Sequence, residues 1–502
     1  MTARALVLVT LAALGACDGD PVAIITVTGR PAVHDLETLD VKVTHEGTVV
    51  DHTFELRGRD LPTTFSVTAP GREGPLQISA RAYDRAGHLG AFGAAAATLR
   101  ADQVTETNLL LEPADFVVNT GFANAQRLSF FARDGGQQIA VGSDGIFTIG
   151  FSDDCLSVMR CDVFGRRFDQ TARPVRTELA ASDAQFNLNR SNVFGNDPSM
   201  ATGADGTTIA IWSTGQELLC TATSATGGAL PDPFSTETLL GTSNDLGDPA
   251  IAALSPDRFV ITWAQDASGV PVVAARVIDG ACRPVASIAG GGSDAAFIVA
   301  QATASLDHPV VAGTALAMAF IWREGDALRG RFTGADGAFA TPAPIDLVAE
   351  PGEQRWGQQV VATGEGYTLL YAFRKNPEDE VGLLLRRMDP VGAAIGEPAS
   401  VGSGLPDENA APSLARAGDG RLGVAWHVCG GLDADCGVVA RVMGADGEPA
   451  GDAFLVNTTT DGAQVDPSIA ALPEGFVVAF TDESQAPPDE SSSSIRARVI
   501  YP

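Results

Sequence analysis

An all-β chain in two parts, a small sandwich followed by a seven-bladed propeller, is what the sequence predicts, and three observations predict it. Fifty-five glycines and 29 prolines in 502 residues demand many turns and leave little room for long helices. Short runs alternating between apolar and polar residues, the period of a half-buried strand, recur between turn residues from Pro21 onward. From Pro113 to the C-terminus these runs also repeat as a unit, the mark of an array of similar modules.

Composition bounds the rest. With 45% hydrophobic and 19% charged residues the chain can bury sizeable cores, which excludes disorder as its dominant state. Sixty-two acidic against 33 basic residues give a formal charge of −29, which repels a phosphate backbone, so nucleic acid is excluded as a partner class. Only two of the basic residues are lysines, Lys42 and Lys375.

The first segment is an address. One positive charge at Arg4 precedes the apolar stretch from Ala5 to Ala16, whose only hydroxyl is Thr10. A membrane span needs about 20 such residues, so this length fits the core of a secretory signal. The stretch closes on Leu14-Gly15-Ala16-Cys17, which resembles the lipobox of bacterial lipoproteins. The resemblance implies a signal peptide over 1–16, cleavage before Cys17, lipidation of that cysteine and a short tether over 17–20. It implies a protein of the bacterial cell envelope, periplasmic or at the cell surface, held to a membrane by acyl chains. The rival is an ordinary secretory signal that happens to contain a cysteine.

Six cysteines remain after Cys17, an even number that in an oxidising compartment reads as disulfides. Cys155 with Cys161, and Cys429 with Cys436, are local pairs, each closing a loop for roughly 2 kcal/mol on the loop-entropy relation. Cys220 with Cys282 follows by elimination. Zinc fits poorly, because the spacings are not Cys-x-x-Cys and the six histidines do not cluster beside them.

Residues 21–112 hold seven alternating runs, at 22–28, 39–44, 48–56, 65–68, 76–83, 91–99 and 105–111. Seven short strands in some 90 residues suggest an immunoglobulin-like sandwich without its disulfide, placed as a spacer next to the tether.

Residues 113–502 carry the repeat. Pro467-Ser-Ile-Ala-Ala-Leu, then Gly475-Phe-Val-Val-Ala-Phe480, then Ala497-Arg-Val499 is its clearest unit, with relatives led by Pro249 and Pro412. The aromatic that ends each second strand falls at Phe151, Trp212, Trp263, Trp322, Tyr371, Trp426 and Phe480, which makes seven units. Four short strands in each are the signature of propeller blades. The last unit stops after its third strand, while Phe116-Val-Val-Asn-Thr120 precedes the first and copies Phe454-Leu-Val-Asn-Thr458. An N-terminal strand completing the last blade would hide both open edges of the array. The unit as a whole, Phe-x-Val-Asn-Thr, Pro-x-Ile-Ala, Gly-Phe-Val-Val-Ala and Ala-Arg-Val, resembles a repeat of large secreted bacterial proteins. That resemblance implies an extracytoplasmic propeller and supplies no catalytic residues.

Turn chemistry sorts two faces. Asp-Gly and Glu-Gly pairs between first and second strands, and Asp279-Gly280, Asp336-Gly337 and Asp446-Gly447 between third and fourth, predict tight hairpins on one face. Long segments, among them 183–196, 289–306, 350–358, 429–436 and 481–494, are expected on the other, where a rigid scaffold carries its binding residues. There Arg355 and Trp356 offer a cation beside an aromatic to a sugar or peptide, the alternative being that Trp356 packs between blades, and Asp153, Asp154, Asp482 and Glu483 form acidic pairs at a rim. Such acids are able to hold Ca²⁺, the one ion suggested; otherwise they form a solvated rim. No Gly-x-Ser-x-Gly, phosphate loop, His-Glu-x-x-His or sialidase box is present. The reading is therefore a membrane-anchored propeller that binds protein or polysaccharide, with no cofactor required. Its alternatives are a carbohydrate-active hydrolase or lyase using carboxylates, and a structural subunit of an envelope complex.

Overall fold

The computed structural model describes residues 7–10, 20–56, 61–121, 125–128, 137–153, 162–180, 182–189, 196–228, 238–242, 246–348, 353–376, 378–405, 412–430, 435–490 and 492–502. Every regular element among them is a strand or an isolated bridge. The chain divides into two compact units, Met1–Phe116 with Val499–Tyr501, and Val117–Arg498 with Pro502.

In the first unit all seven runs are strands, with bounds moved by at most two residues: Val22–Gly29, Thr38–His45, Thr48–Glu55, Thr63–Thr68, Gly74–Tyr83, Leu89–Leu99 and Val104–Pro113. Alternation sets their burial: in Thr38–His45, Leu39, Val41 and Val43 turn inward while Asp40 and Lys42 face solvent. Val22–Gly29 pairs parallel with Val104–Pro113, and every other pairing is antiparallel. Their inward residues, including Ile25, Val41, Phe65, Val67, Ile78 and Leu109, make one core. An eighth strand, Val7–Thr10, lies antiparallel along Thr63–Thr68.

The second unit is a seven-bladed β-propeller. Its innermost strands are Ile139–Val141, Asn196–Thr202, Leu246–Ser255, Leu306–Gly313, Gln354–Ala362, Ser413–Arg416 and Gln464–Leu472, each touching the next and the last touching the first. Each begins an antiparallel sheet. In the first blade Gln126–Arg127 shares the inner position with Ile139–Val141, and in the last sheet Phe116–Val117 takes the fourth position.

Cores lie between blades, and five of the seven aromatics explain why. Trp212 packs with Val163 and Phe186 of the first blade, Trp263 with Ile211 of the second, Trp322 with Val299 of the third, Tyr371 with Ile321 of the fourth and Trp426 with Leu383 of the fifth. Each ring is at most 2% exposed, and burying such a side chain is worth about 2–3 kcal/mol. The fit is close: a Cβ on Gly402 of the fifth blade would stand 2.7 Å from the Trp426 ring.

In four blades a third-strand arginine, within Ala-Arg-Val at Arg441 and Arg498, fastens its blade to the one before. The guanidinium of Arg331 donates to the Val299 carbonyl at 2.7 Å, Arg441 to Val401 at 2.7 Å, and Arg498 to Leu455 and Val456 at 3.2 and 3.1 Å. These carbonyls belong to the outer strand of the preceding blade or to the residue after it. Arg166 of the first blade makes the same contact, at 2.8 Å, with the carbonyl of Val118. Burial draws Arg166 and Arg331 below the usual arginine range, but a guanidinium stays charged there, and each such bond contributes about 1.5–3 kcal/mol.

The inner strands share a bulge. Register shifts fall between Asn196 and Ser199, Gly247 and Ala250, Asp307 and Val310, Trp356 and Gln359, and Val465 and Ser468. His308, Gly357 and Asp466, each at the second place of such a bulge, have positive φ of 52°, 59° and 53°. The Asp-Gly signals are Asx-turns: Asp144, Asp205, Asp336, Asp419 and Asp446 each accept the N–H two residues on, and the following glycine has positive φ.

Two expectations about turns are corrected. At Asp279 the positive-φ residue is Cys282, three places on, not Gly280; burial opposes the charge of Asp279, but the N–H groups of Arg283 and Ala281 and the Arg283 guanidinium together hold its carboxyl below the usual range. The residues before Phe297, expected on the loop-rich face, connect the third strand Pro271–Asp279 to the fourth, Phe297–Gln301, so they lie on the turn face. The reason is that the third strand runs past its hairpin and forms a bridge, Ile278 to Pro284, before the chain turns back.

Cys220 and Cys282 are bonded within the core between the second and third blades, and Cys429 is bonded to Cys436 directly opposite it. Cys17, Cys155 and Cys161 lie outside the described residues. Replacing both Cys220 and Cys282 by alanine is expected to destabilise the propeller by about 4 kcal/mol, and replacing Cys429 and Cys436 by about 2. Denaturant unfolding of both variants checks the order.

Candidate functional site

The face that collects second-to-third loops and blade connections holds all the described site candidates, in two places. Asp153 and Asp482 end the second strands of the first and seventh blades, with Glu483 next in the chain. Asp154 lies outside the described residues.

At the seam between these blades the acids belong to an ordered polar network. Asn119 accepts the Ile495 N–H at 2.9 Å and donates to Asp489 at 2.7 Å and to Gln126 at 3.3 Å. Gln126 in turn donates to Asp153 at 3.0 Å. The sixth and seventh blades repeat the arrangement: Asn457 accepts the Val438 N–H and donates to Gln464, which donates to Asp482 at 2.9 Å. Asp482 also takes Arg496 at 2.7 Å, with its carboxylate fully covered. Glu483 pairs with Arg127, each about one-third exposed. Asp153 and Asp482 thus orient the ends of strands; Glu483 and Arg127 remain open to solvent.

The second place is the fifth blade. Arg355 pairs with Glu353 at 3.0 Å, and Lys375, two-thirds exposed, approaches the same carboxylate at 3.8 Å. Trp356 is 3% exposed and packs in the core between the fifth and sixth blades, with the Arg374 guanidinium 5.5 Å from its ring centre. Arg355 and Trp356 therefore brace the entrance of an inner strand, and the groups they leave accessible are Arg374 and Lys375. Burial raises the Tyr371 hydroxyl above the usual tyrosine range, against the neighbouring Arg386, so it stays protonated at neutral pH.

An axial cavity of about 330 Å³ runs between the inner strands. Alanines and valines dominate its lining; Gln137, Ser199, Gln359 and Arg416 are its polar members. On the turn face a smaller cavity of about 190 Å³ between the third and fourth blades is flanked by Ile288 and Leu316, 63% and 64% exposed. Among the described residues no three His, Cys, Asp or Glu side chains are grouped so as to hold a metal ion.

Sequence reading missed the Asn-Gln-Asp chains and the role of the third-strand arginines Arg166, Arg331, Arg441 and Arg498. A signal for the first was present, since Gln126 and Gln464 each stand seven residues after the asparagine of a Val-Asn-Thr segment.

No family model matches the chain, and no curated protein matches it. Several solved structures are similar in shape. The polysaccharide lyase Uly1 has 10% identity and a TM-score of 0.40, over 76% of this chain and 92% of that one. A polysaccharide lyase described as a PL25 ulvan lyase has 9% and 0.41, over 77% and 94%. A prolyl endopeptidase has 13% and 0.39 over 74% of this chain, which spans about half (51%) of its length. At such identities and scores these likenesses carry nothing about activity.

Breaking the covered ion pair should leave one charge buried alone. Asp482→Ala is expected to destabilise the propeller by about 3–5 kcal/mol, and Glu483→Ala by under about 1 kcal/mol. Paired unfolding curves measure the difference, and similar losses would contradict the placement of Asp482.

Proposed function

We propose that the chain is an envelope lipoprotein, anchored through Cys17, whose propeller captures a protein or polysaccharide on its loop-rich face. In this reading the first unit is an immunoglobulin-like spacer, and the strand at Phe116–Val117 closes the ring. Two contacts support that closure: Asn119 clasps Ile495 as Asn457 clasps Val438, and Arg166 holds Val118 as Arg498 holds Val456.

The observation that carries the binding reading is the bracing of this face. The Cys429–Cys436 bond staples the loop of the sixth blade, the Asn119 network fixes the seam, and Glu353 with Arg355 and Lys375 fixes the approach to the fifth blade. Side chains ordered in the free protein lose little freedom on binding, a condition that favours tight recognition. Covalent lipid supplies the anchor, at about 0.8 kcal/mol per buried CH₂.

The test is capture of proteins and glycans from native cells by the tagged, cross-linked protein. Lys375→Glu is expected to reduce recovery of the captured species several-fold, and Leu316→Glu on the turn face to leave it unchanged. The reverse result would move the site to the turn face, and recovery of nothing above control would end the binding reading. Cys17→Ser is expected to shift the protein from the membrane to the soluble fraction.

A further inference from the structure

We propose that the outer edge of strand Thr63–Thr68 is a strand-accepting slot through which two copies of the mature chain pair. The inference rests on the reading that the chain is cleaved before Cys17.

The sheet path of the first unit ends on one side with Val7–Thr10 and on the other with Thr48–Glu55. Val7–Thr10 runs antiparallel to Thr63–Thr68, with Val7 opposite Thr68 and Thr10 opposite Phe65. That segment lies inside the apolar stretch that cleavage removes. Once it is gone, a row of backbone N–H and C=O groups along residues 65–68 has lost its partner strand, and an unpaired edge is a template for another strand.

The two terminal edges differ in how they are guarded. Thr48–Glu55 presents exposed Asp51, His52 and Glu55, side chains that discourage edge-to-edge pairing. Thr63–Thr68 reads Thr-Thr-Phe-Ser-Val-Thr, with no charge, proline or glycine and high strand propensity. Its only exposed side chain is Thr64, while Phe65 and Val67 are buried in the core. One edge repels a neighbouring strand, and the other is left able to accept one.

The structure indicates what fits. The segment seated on the edge, Val-Leu-Val-Thr, is uncharged, β-branched in part and antiparallel. Thr63–Thr68 has the same character, and a second copy related by a two-fold axis presents it antiparallel by symmetry. Main-chain hydrogen bonds then supply the affinity, as in other cases of strand addition.

The test is sedimentation of three purified forms, each with Cys17→Ser so that no lipid intervenes. The chain beginning at residue 17 is expected to form a dimer with rising concentration. The same chain with Thr64→Lys should need roughly tenfold more protein to dimerise, because a charge on an edge strand discourages edge-to-edge pairing. Its melting temperature should match the parent, which separates lost pairing from lost folding. The chain that keeps residues 1–16 should stay monomeric, its slot filled by its own strand. A mature chain that is monomeric throughout, or a dimer indifferent to Thr64→Lys, overturns the proposal. Mass determination of the protein from its native cells is read separately: an intact Met1 would refute cleavage and anchoring whatever the sedimentation shows.

Discussion

Four seams of the propeller depend on one contact, the guanidinium of a third strand reaching the outer-strand carbonyls of the blade before it. Outer strands here are short, two residues in the first, sixth and seventh blades, and so small a pairing cannot hold itself in a sheet. A charged donor from the next blade fixes the outer strands of the third, fifth, sixth and seventh blades from outside their own sheets. Stability is therefore a property of adjacent blades taken in pairs.

Much of the fold was legible because it rests on periodic signals. Strand alternation gave all seven runs of the first unit, and the aromatic spacing gave the number of blades, since only a ring buried between sheets needs one large residue per unit at one place. The local disulfide at Cys429 was legible because its partner is seven residues away, and Cys220 with Cys282 because elimination left no other choice. What was not legible depended on long-range register. Nothing in Asp279-Gly280 tells a reader that the strand runs past its turn, so the segment before Phe297 was given to the wrong face.

The candidate site shows the same limit. Asp153 and Asp482 look like rim acids because each ends a second strand, and the glutamines that engage them lie 27 and 18 residues away. For Trp356 the sequence offers two readings, a platform at the mouth of an inner strand or packing between blades, and its ring turns into the seam, where apolar area is worth more than exposure. The residues that stay accessible, Glu483, Arg127, Arg374 and Lys375, are ordinary in sequence, and only packing separates them from their neighbours.

The scarcity of lysine acquires a practical meaning once the two are placed. Lys42 is exposed on a strand of the first unit, and Lys375 is exposed beside the fifth blade of the second. An amine-directed fluorophore or spin label thus has one side-chain target on each unit of the natural chain. The separation of the units, and its variation in solution, becomes readable from the unmutated protein by a single labelling chemistry.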